Sequence, residues 1–221
     1  MRLFATFILL FFVGSVQANF NISPLSQSIS TKQKSASYTL ENLTTRKAAY
    51  AVKVSTRTLN SAGEEIREET KEIRVFPSKI ILEPQQKKRI KVIYLGKRNI
   101  AQEKAFRVVF MQLDRDVTES EQQALNAKFN FHTAFYVTPK NATANLDANL
   151  TQGSKGPQLA LSNRGNKHII LQDWKLRLTS GEQSIIYEQP LPDVNMLANS
   201  KIYIPLSNQA KSFDLAEVIT N

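Results

Sequence analysis

His132 and His168 are the side chains of this chain best suited to acid–base or metal chemistry. Neither belongs to a His-Glu-x-x-His pair, and no Gly-x-Ser-x-Gly turn or glycine-rich phosphate loop occurs among only seven glycines. Acidic pairs occur in the polar run 114–123, where solvated charge is the expected state. The sequence therefore predicts no catalytic residue, no metal site and no cofactor.

An apolar stripe runs through residues 125–139 (LNAKFNFHTAFYVTP). Alternate side chains of an extended strand point to the same face, so this spacing places apolar residues in one row. The first members of the row are Leu125, Ala127, Phe129 and Phe131. The preceding polar run has little apolar surface with which to cover the row. We interpret the stripe as a strand that a partner covers, with an ordinary core strand as the alternative.

The N-terminus has the layout of a secretory signal peptide. Met1 and Arg2 precede an apolar run at 3–13, and small and polar residues ending at Ala18 follow. The apolar run is shorter than the ~20 residues that a membrane span needs, and charges interrupt every later one. We expect cleavage after Ala18, export, and no transmembrane segment. The mature chain would have 203 residues (221 − 18) and, without Arg2, a formal charge of +9 instead of +10.

Cysteine is absent, so neither a disulfide framework nor a thiolate metal site is predicted. The excess positive charge suits nucleic acid, an acidic surface or an acidic protein. The densest basic cluster, residues 87–91, is typical of a half-solvated strand and has no interleaved aromatic side chains. An exported protein seldom meets nucleic acid, so we expect none as a partner.

Short extended runs separated by Asn, Gly, Pro and Ser recur along the chain, and helical signals are scarce. Seven or eight such runs before Pro139 predict an all-β sandwich of the immunoglobulin type. The composition then shifts, and a second set of strands follows. We predict a signal peptide at 1–18, an immunoglobulin-like domain at 19–139 and a smaller β-sandwich domain at 140–221.

Three segments resemble the pilus-assembly chaperones of Gram-negative bacteria, the periplasmic members of the chaperone–usher pathway. They are 75–84 (VFPSKIILEP), 88–96 (KRIKVIYLG) and 103–110 (EKAFRVVF). The stripe at 125–139 is similar to the family's last strand of the first domain. Its ending, HTAFYVTP, resembles the alternative branch of common-pilus and colonisation-factor chaperones more than the P-pilus type.

The resemblance implies two immunoglobulin-like domains set at an angle around a cleft. It implies a non-enzymatic periplasmic protein that binds pilin or fimbrial subunits by donor-strand complementation and delivers them to an outer-membrane usher. The residues lent to the subunit would be Leu125, Ala127, Phe129 and Phe131. Self-association of the unloaded chain is a further expectation.

Two positions depart from the better-known branch, which anchors the subunit's terminal carboxylate with an Arg in its first strand and a Lys in its donor strand. The matching positions here fall near Gln27 or Ser28 and near Thr133 or Ala134, and none is cationic. These four residues mark the candidate anchor region.

The family's interdomain ion pair is retained only in part. Lys91 and Glu103 are predicted to form a structural ion pair on neighbouring strands, while Thr138 replaces a third, cationic member.

Two other functions stay open on the sequence alone. One is a secreted structural or adhesive immunoglobulin-like protein, with Phe129 and Phe131 in its own core. The other is an exported hydrolase of an acidic polymer, which the positive charge would attract but for which the catalytic set is missing.

Overall fold

The structure, a computed structural model, describes residues 20–113 and 129–220. The predicted signal peptide and the donor-row residues Leu125 and Ala127 therefore lie outside the described residues. Within them the regular secondary structure consists of β-strands and one short 3₁₀ helix at Asn208–Ser212. No helix in these two ranges is long and apolar enough to cross a membrane.

The first domain is a sandwich of two sheets. Its strands are β1 (Phe20–Ser23), β2 (Ser26–Ser30), β3 (Ser35–Asn42), β4 (Ala48–Thr56), β5 (Thr58–Leu59), β6 (Glu65–Ile66), β7 (Ile73–Phe76), β8 (Lys79–Leu82), β9 (Lys87–Tyr94), β10 (Lys104–Gln112) and β11 (Asn130–Thr138). The four-stranded sheet has the order β1-β3-β9-β7, and the five-stranded sheet has the order β2-β11-β10-β4-β8. Strands β5 and β6 form a separate hairpin.

The period of two in the sequence explains how these strands pack. In β9, Ile90, Val92 and Tyr94 are buried in the core between the sheets, while Arg89 and Lys91 are exposed. An aliphatic and aromatic core with few polar groups holds the two sheets together without disulfides, because burying a large apolar side chain contributes about 1.5–3 kcal/mol.

The second domain has its own smaller core, in which Trp174 is buried as its position between strand residues suggests. Its strands are β12 (Leu146–Gly153), β13 (Gly156–Asn163), β14 (Ile169–Leu171), β15 (Lys175–Ser180), β16 (Gln183–Ile186), β17 (Val194–Met196), β18 (Ser200–Pro205) and β19 (Leu215–Ile219). They form the sheets β12-β13-β18, β14-β17 and β16-β15-β19.

A buried asparagine at the end of β3 connects three segments of the first domain. The Nδ2 of Asn42 donates to the carbonyl oxygens of Arg46, Leu82 and Glu83 at 2.8, 3.3 and 3.0 Å. Its Oδ1 accepts from the backbone N–H of Thr44 at 3.0 Å. One amide therefore satisfies backbone groups that a turn leaves without ladder partners.

The second domain repeats this arrangement at the end of β13. The Nδ2 of Asn163 donates to the carbonyl oxygens of Lys167, Met196 and Leu197 at 2.7, 3.3 and 3.0 Å, and its Oδ1 accepts from the N–H of Gly165 at 3.0 Å. The two domains thus share a structural repeat that is not visible by eye in the sequence.

We expect Asn42→Ala and Asn163→Ala each to lower the free energy of unfolding by about 2–4 kcal/mol, because each leaves several buried carbonyls without a donor. Asn149, whose exposed side chain bonds only to Asp147 among the described residues, offers a matched control, and Asn149→Ala should cost less than about 0.5 kcal/mol. Urea unfolding measures all three. Equal, small losses would contradict the proposed role of the buried amides.

Candidate functional site

Strand β11 is paired along its whole length on one side but only partly on the other. Strand β10 pairs with it from Asn130 to Val137, whereas β2 pairs with it, in parallel, only from Ala134 to Thr138. Among the described residues, the stretch 130–133 therefore has no strand on the side facing away from β10. We call this side of residues 130–133 the open edge.

The backbone groups at the open edge follow from strand geometry. The N–H of Ala134 donates to the carbonyl of Leu25 at 3.0 Å, so Ala134 points its backbone away from β10. Because successive residues alternate between the two sides of an antiparallel strand, the N–H and C=O of His132 and Asn130 point the same way. The open edge thus presents unpaired donors and acceptors to which another strand can bond.

Two described members of the predicted donor row, Phe129 and Phe131, are only partly buried. Both pack against the first-domain core, and the ring of Phe131 lies 4.7 Å from that of Phe20. Farther along β11, Phe135 and Val137 on the same face are fully buried. The row thus passes from the sealed core to a half-exposed end beside the open edge.

A cluster of three arginines around one carboxylate lies on the outer face of the five-stranded sheet, and we call it the arginine cluster. The Nε of Arg107 bonds Glu65 Oε1 and Oε2 at 2.8 and 2.9 Å, and the Nε of Arg57 bonds Oε2 at 2.7 Å. Arg67 also contacts Oε1. Three cations against one anion leave a formal charge of +2, and the Arg57 side chain is 6% exposed.

The electrostatics of the cluster reflect this excess of positive charge. Burial opposes ionisation of Glu65, but hydrogen bonds from Arg107 and Arg67 outweigh it and lower the pKa of Glu65 to about 2. Burial, together with Arg67 and Arg107, lowers the pKa of His132, whose Nδ1 lies 2.9 Å from an Arg67 nitrogen. A neutral His132 ring can accept that hydrogen bond. The excess positive charge of the cluster also favours binding of an anion nearby.

The four predicted anchor residues do not form a cationic site. Gln27 donates its side-chain amide to the Ser37 carbonyl at 2.8 Å, and the Ser28 hydroxyl pairs with that of Thr138 at 3.0 Å. Thr133 is fully buried and donates to the Val108 carbonyl at 2.8 Å, and the Ala134 side chain has no donor.

A cationic group beside Ala134 is the arginine cluster, which sequence reasoning missed. Arg107 faces Ala134 across β10 and β11. The strand assignment could have placed Arg107 on the outer face of β10, because it alternates with the core residues Phe106 and Val108. Only the fold brings Arg57, Arg67 and Glu65 next to Arg107.

The predicted Lys91–Glu103 ion pair is wrong. Lys91 lies on the outer face of β9 in the four-stranded sheet, whereas Glu103 immediately precedes β10 of the other sheet. Glu103 instead accepts from the Thr138 hydroxyl at 2.6 Å and contacts His168 Nδ1 at 2.6 Å. These hydrogen bonds lower the pKa of Glu103, although burial opposes its ionisation.

His168, for which the sequence predicts no catalytic or metal-binding role, lies at the junction of the two domains. Its ring stacks on Tyr136 at 3.8 Å, and the Tyr136 hydroxyl accepts hydrogen bonds from Arg57 at 3.1 Å and from Asn195 at 2.8 Å. Arg57 therefore connects the arginine cluster to the second domain through Tyr136.

A cleft separates the domains beside this junction. It holds two cavities of about 420 and 450 Å³, both lined by Arg57 and Leu59 of the first domain. The second domain contributes residues 197–201 to one cavity and residues 192–195 and 202–205 to the other. In the described part of the chain, no group of three or more His, Asp or Glu side chains is arranged to hold a metal ion.

The family model described as the pili and flagellar-assembly chaperone, PapD N-terminal domain, matches residues 20–143, more than half of the chain. This chain therefore belongs to the family of pilus-assembly chaperones. A comparison with curated proteins found no match.

Solved structures share the fold over most of their length. A chain of the CsuC–CsuE chaperone–tip adhesion subunit pre-assembly complex of Acinetobacter baumannii is 18% identical, with a TM-score of 0.65 over 91% of this chain and 97% of that one. The class 5 fimbriae chaperone CfaA is 14% identical, with a TM-score of 0.61 over 92% and 100%. A chain of the Salmonella enterica SafA pilin–SafB chaperone complex is 12% identical, with a TM-score of 0.59 over 86% and 85%. The predicted all-β fold of two immunoglobulin-like domains is confirmed.

The depressed pKa of Glu65 predicts an acid-sensitive contribution to stability. The stabilisation is present above the ordinary pKa of 4.5 and is lost as the pH falls through the folded-state value of about 2. The shift corresponds to about 3 kcal/mol, and solvent screening reduces it, so we expect a loss of about 1–3 kcal/mol between pH 6 and pH 2.

Urea unfolding at a series of pH values tests this expectation with Glu65→Gln. In this variant the free energy of unfolding should lose most of its dependence on pH below pH 6, because residue 65 has no carboxyl group to protonate. Glu217→Gln is the matched control, since Glu217 is exposed and forms an ion pair only with Arg177 among the described residues, and its free energy of unfolding should depend on pH as that of the parent does. If the free energy of unfolding of Glu65→Gln depended on pH as strongly as that of the parent, Glu65 would not be the source of the acid sensitivity.

Proposed function

We propose that this chain is a periplasmic, non-enzymatic chaperone that binds pilin or fimbrial subunits by donor-strand complementation and delivers them to an outer-membrane usher. Membership of the pilus-assembly chaperone family supports the role, and the open edge of β11 carries the proposed mechanism. The relatives include complexes whose names pair a chaperone with a pilin or a tip adhesion subunit.

The physical basis is the completion of an unfinished fold. A subunit that lacks one strand exposes an apolar groove and an unpaired sheet edge, both of which favour aggregation. A strand added from the chaperone pairs that backbone, and its alternate side chains fill the groove. Each filled position contributes about 1.5–3 kcal/mol of binding free energy, before the entropic cost of ordering the strand is subtracted. This energy comes from burial of apolar surface, so binding does not require the hydrolysis of a nucleotide.

The donor row assigned to this exchange is Leu125, Ala127, Phe129 and Phe131. Phe129 and Phe131 are half-buried against their own core, so they are held in place before a guest arrives and keep only part of their surface for contact. Replacing both with Glu would therefore disturb folding as well as binding, and a backbone substitution is the cleaner probe.

The arginine cluster is the site we assign to the guest's terminal carboxylate, in place of the residues near Gln27 and Thr133. The open edge ends at Ala134, where Leu25 takes over the pairing. Arg107 lies opposite Ala134, and Arg67 contacts His132, so the cluster flanks this end of the edge. A guest strand with its carboxylate there runs parallel to β11, and that carboxylate offsets part of the +2 charge.

The same open edge supports self-association when no guest is bound, because two unpaired strands can complete each other. The boundary near Pro139 and the signal peptide at 1–18 stay predictions, and export to the periplasm depends on the latter.

Asn130→Pro tests the open edge, with Asn130→Ala as its matched control. Asn130 is exposed, and proline removes its guest-facing N–H while leaving the residues that pair with β10 intact. In periplasmic co-expression with a pilin subunit that the parent protein retains, Asn130→Pro should recover at least tenfold less pilin. Asn130→Ala keeps the N–H and should bind within about twofold of the parent.

Thermal unfolding of both Asn130 variants confirms that each is folded. Undiminished recovery of pilin with a folded Asn130→Pro would exclude donation through this edge and favour a structural protein whose row lies in its own core.

Arg107→Gln tests the carboxylate site. It should weaken binding of the same pilin about tenfold, the scale of one charge-assisted hydrogen bond. A pilin extended by two residues has a displaced carboxylate, so its affinity should respond less than twofold to Arg107→Gln. Arg177→Gln, on the second domain, is the matched control. Equal losses with both pilins would show that Arg107 only stabilises the fold.

A further inference from the structure

The outer face of the four-stranded sheet carries a set of regularly spaced cations, on the layer opposite to the arginine cluster. In β9, Lys87, Arg89 and Lys91 point to the same outer face and are exposed. Residues two apart on a strand are about 6.6–6.8 Å apart, so these cations form a line along the sheet. Arg74 of the neighbouring β7 is exposed as well. We call these four residues the cationic face.

Strand register shows what surrounds the cations. Ser37 lies beside Lys91, Thr39 beside Arg89 and Glu41 beside Lys87. Of these neighbours only Glu41 is acidic, and it pairs with Lys87 at 3.2 Å. The remaining members, Arg74, Arg89 and Lys91, form no ion pair with the described residues. Because the neighbouring side chains of Ser37 and Thr39 are small, they do not cover these three exposed cations.

One large apolar side chain projects from the same face. Phe76 is 71% exposed and lies directly opposite Lys91 in the pairing of β7 with β9. The ring is at the end of β7, the edge strand of this sheet, so its apolar surface stays in water unless a partner covers it. Clustered basic residues beside an exposed aromatic side chain are the combination with which proteins bind anionic membrane surfaces.

We propose that the cationic face and Phe76 adsorb to a bilayer that carries anionic headgroups. The cations attract the headgroups, and the phenyl ring enters the interfacial region. Lipids move laterally and adapt to a flat row of charges, whereas a folded acidic protein would need fixed carboxylates and a pocket for the ring. The proposal does not depend on the open edge, which belongs to the other sheet and remains accessible on an adsorbed molecule.

Flotation with vesicles tests the proposal with the mature chain. The parent protein should float with vesicles of 70% phosphatidylcholine and 30% phosphatidylglycerol at low salt, and it should dissociate at high salt because exposed charges are screened. Arg89→Gln with Lys91→Gln should lower the partition coefficient about thirtyfold, since each basic residue at an anionic surface contributes about fivefold. Phe76→Ser should lower it several-fold while leaving the salt dependence intact.

The matched control neutralises two exposed cations of the second domain, Lys155→Gln with Lys175→Gln. This variant has the same net charge as the test variant and should bind vesicles within about threefold of the parent. Equal losses would overturn the proposal, because net charge rather than this face would explain binding. It is also overturned if the parent does not float, or if only polyaspartate and not vesicles binds in an Arg89- and Lys91-dependent manner.

Discussion

The structure depends on an incomplete hydrogen-bonding ladder in the first domain. The N-terminal segment divides itself between the two sheets, with β1 on the four-stranded sheet and β2 on the five-stranded sheet. Because β2 joins β11 only from Ala134 onward, the first residues of β11 keep one row of backbone groups unpaired among the described residues. Unpaired backbone groups of this kind favour pairing with another strand, and this is the property on which the proposed function depends.

The arginine cluster distinguishes one end of the open edge from the other. The arginine cluster lies at the end of the edge where β2 begins, and a single carboxylate, Glu65, holds three guanidinium groups in place. In the proposed complex, a guest carboxylate would meet guanidinium groups that are already held in place, which would reduce the entropic cost of binding. Tyr136 links the cluster to the second domain, since its hydroxyl accepts from both Arg57 and Asn195.

Each domain is held by its own core and by its own buried asparagine, and a polar junction joins the two. In that junction Glu103 accepts from Thr138 and contacts His168, whose ring stacks on Tyr136. Thr138 and His168 thus both bond Glu103, at the place where the family resemblance implies a cationic partner. Because these hydrogen bonds outweigh burial and lower the pKa of Glu103, its carboxylate contributes stability at neutral pH and also links the two domains.

Much of the architecture followed from local pattern. The alternation in 88–95 and the turn residues between short runs predict an all-β protein with one immunoglobulin-like domain and a second, smaller β domain, and the same period of two places Phe129 and Phe131 in one row. That both domains are immunoglobulin-like is what the family resemblance implies. The family resemblance supplied the order of these segments. A period of two reports which residues share a face, and this information is contained in the sequence.

Only the tertiary structure decided which strands are neighbours. Glu103 was assigned to Lys91 because the two were expected on adjacent strands, yet β9 and β10 belong to different sheets. In the arginine cluster, Arg57 follows β4, Glu65 lies in β6, Arg67 follows β6 and Arg107 lies in β10. Their proximity depends on the β5–β6 hairpin folding over the sheet. Sequence by itself determined the faces of the strands, because alternation is local; the fold decided the contacts between faces, because they depend on distant pairing.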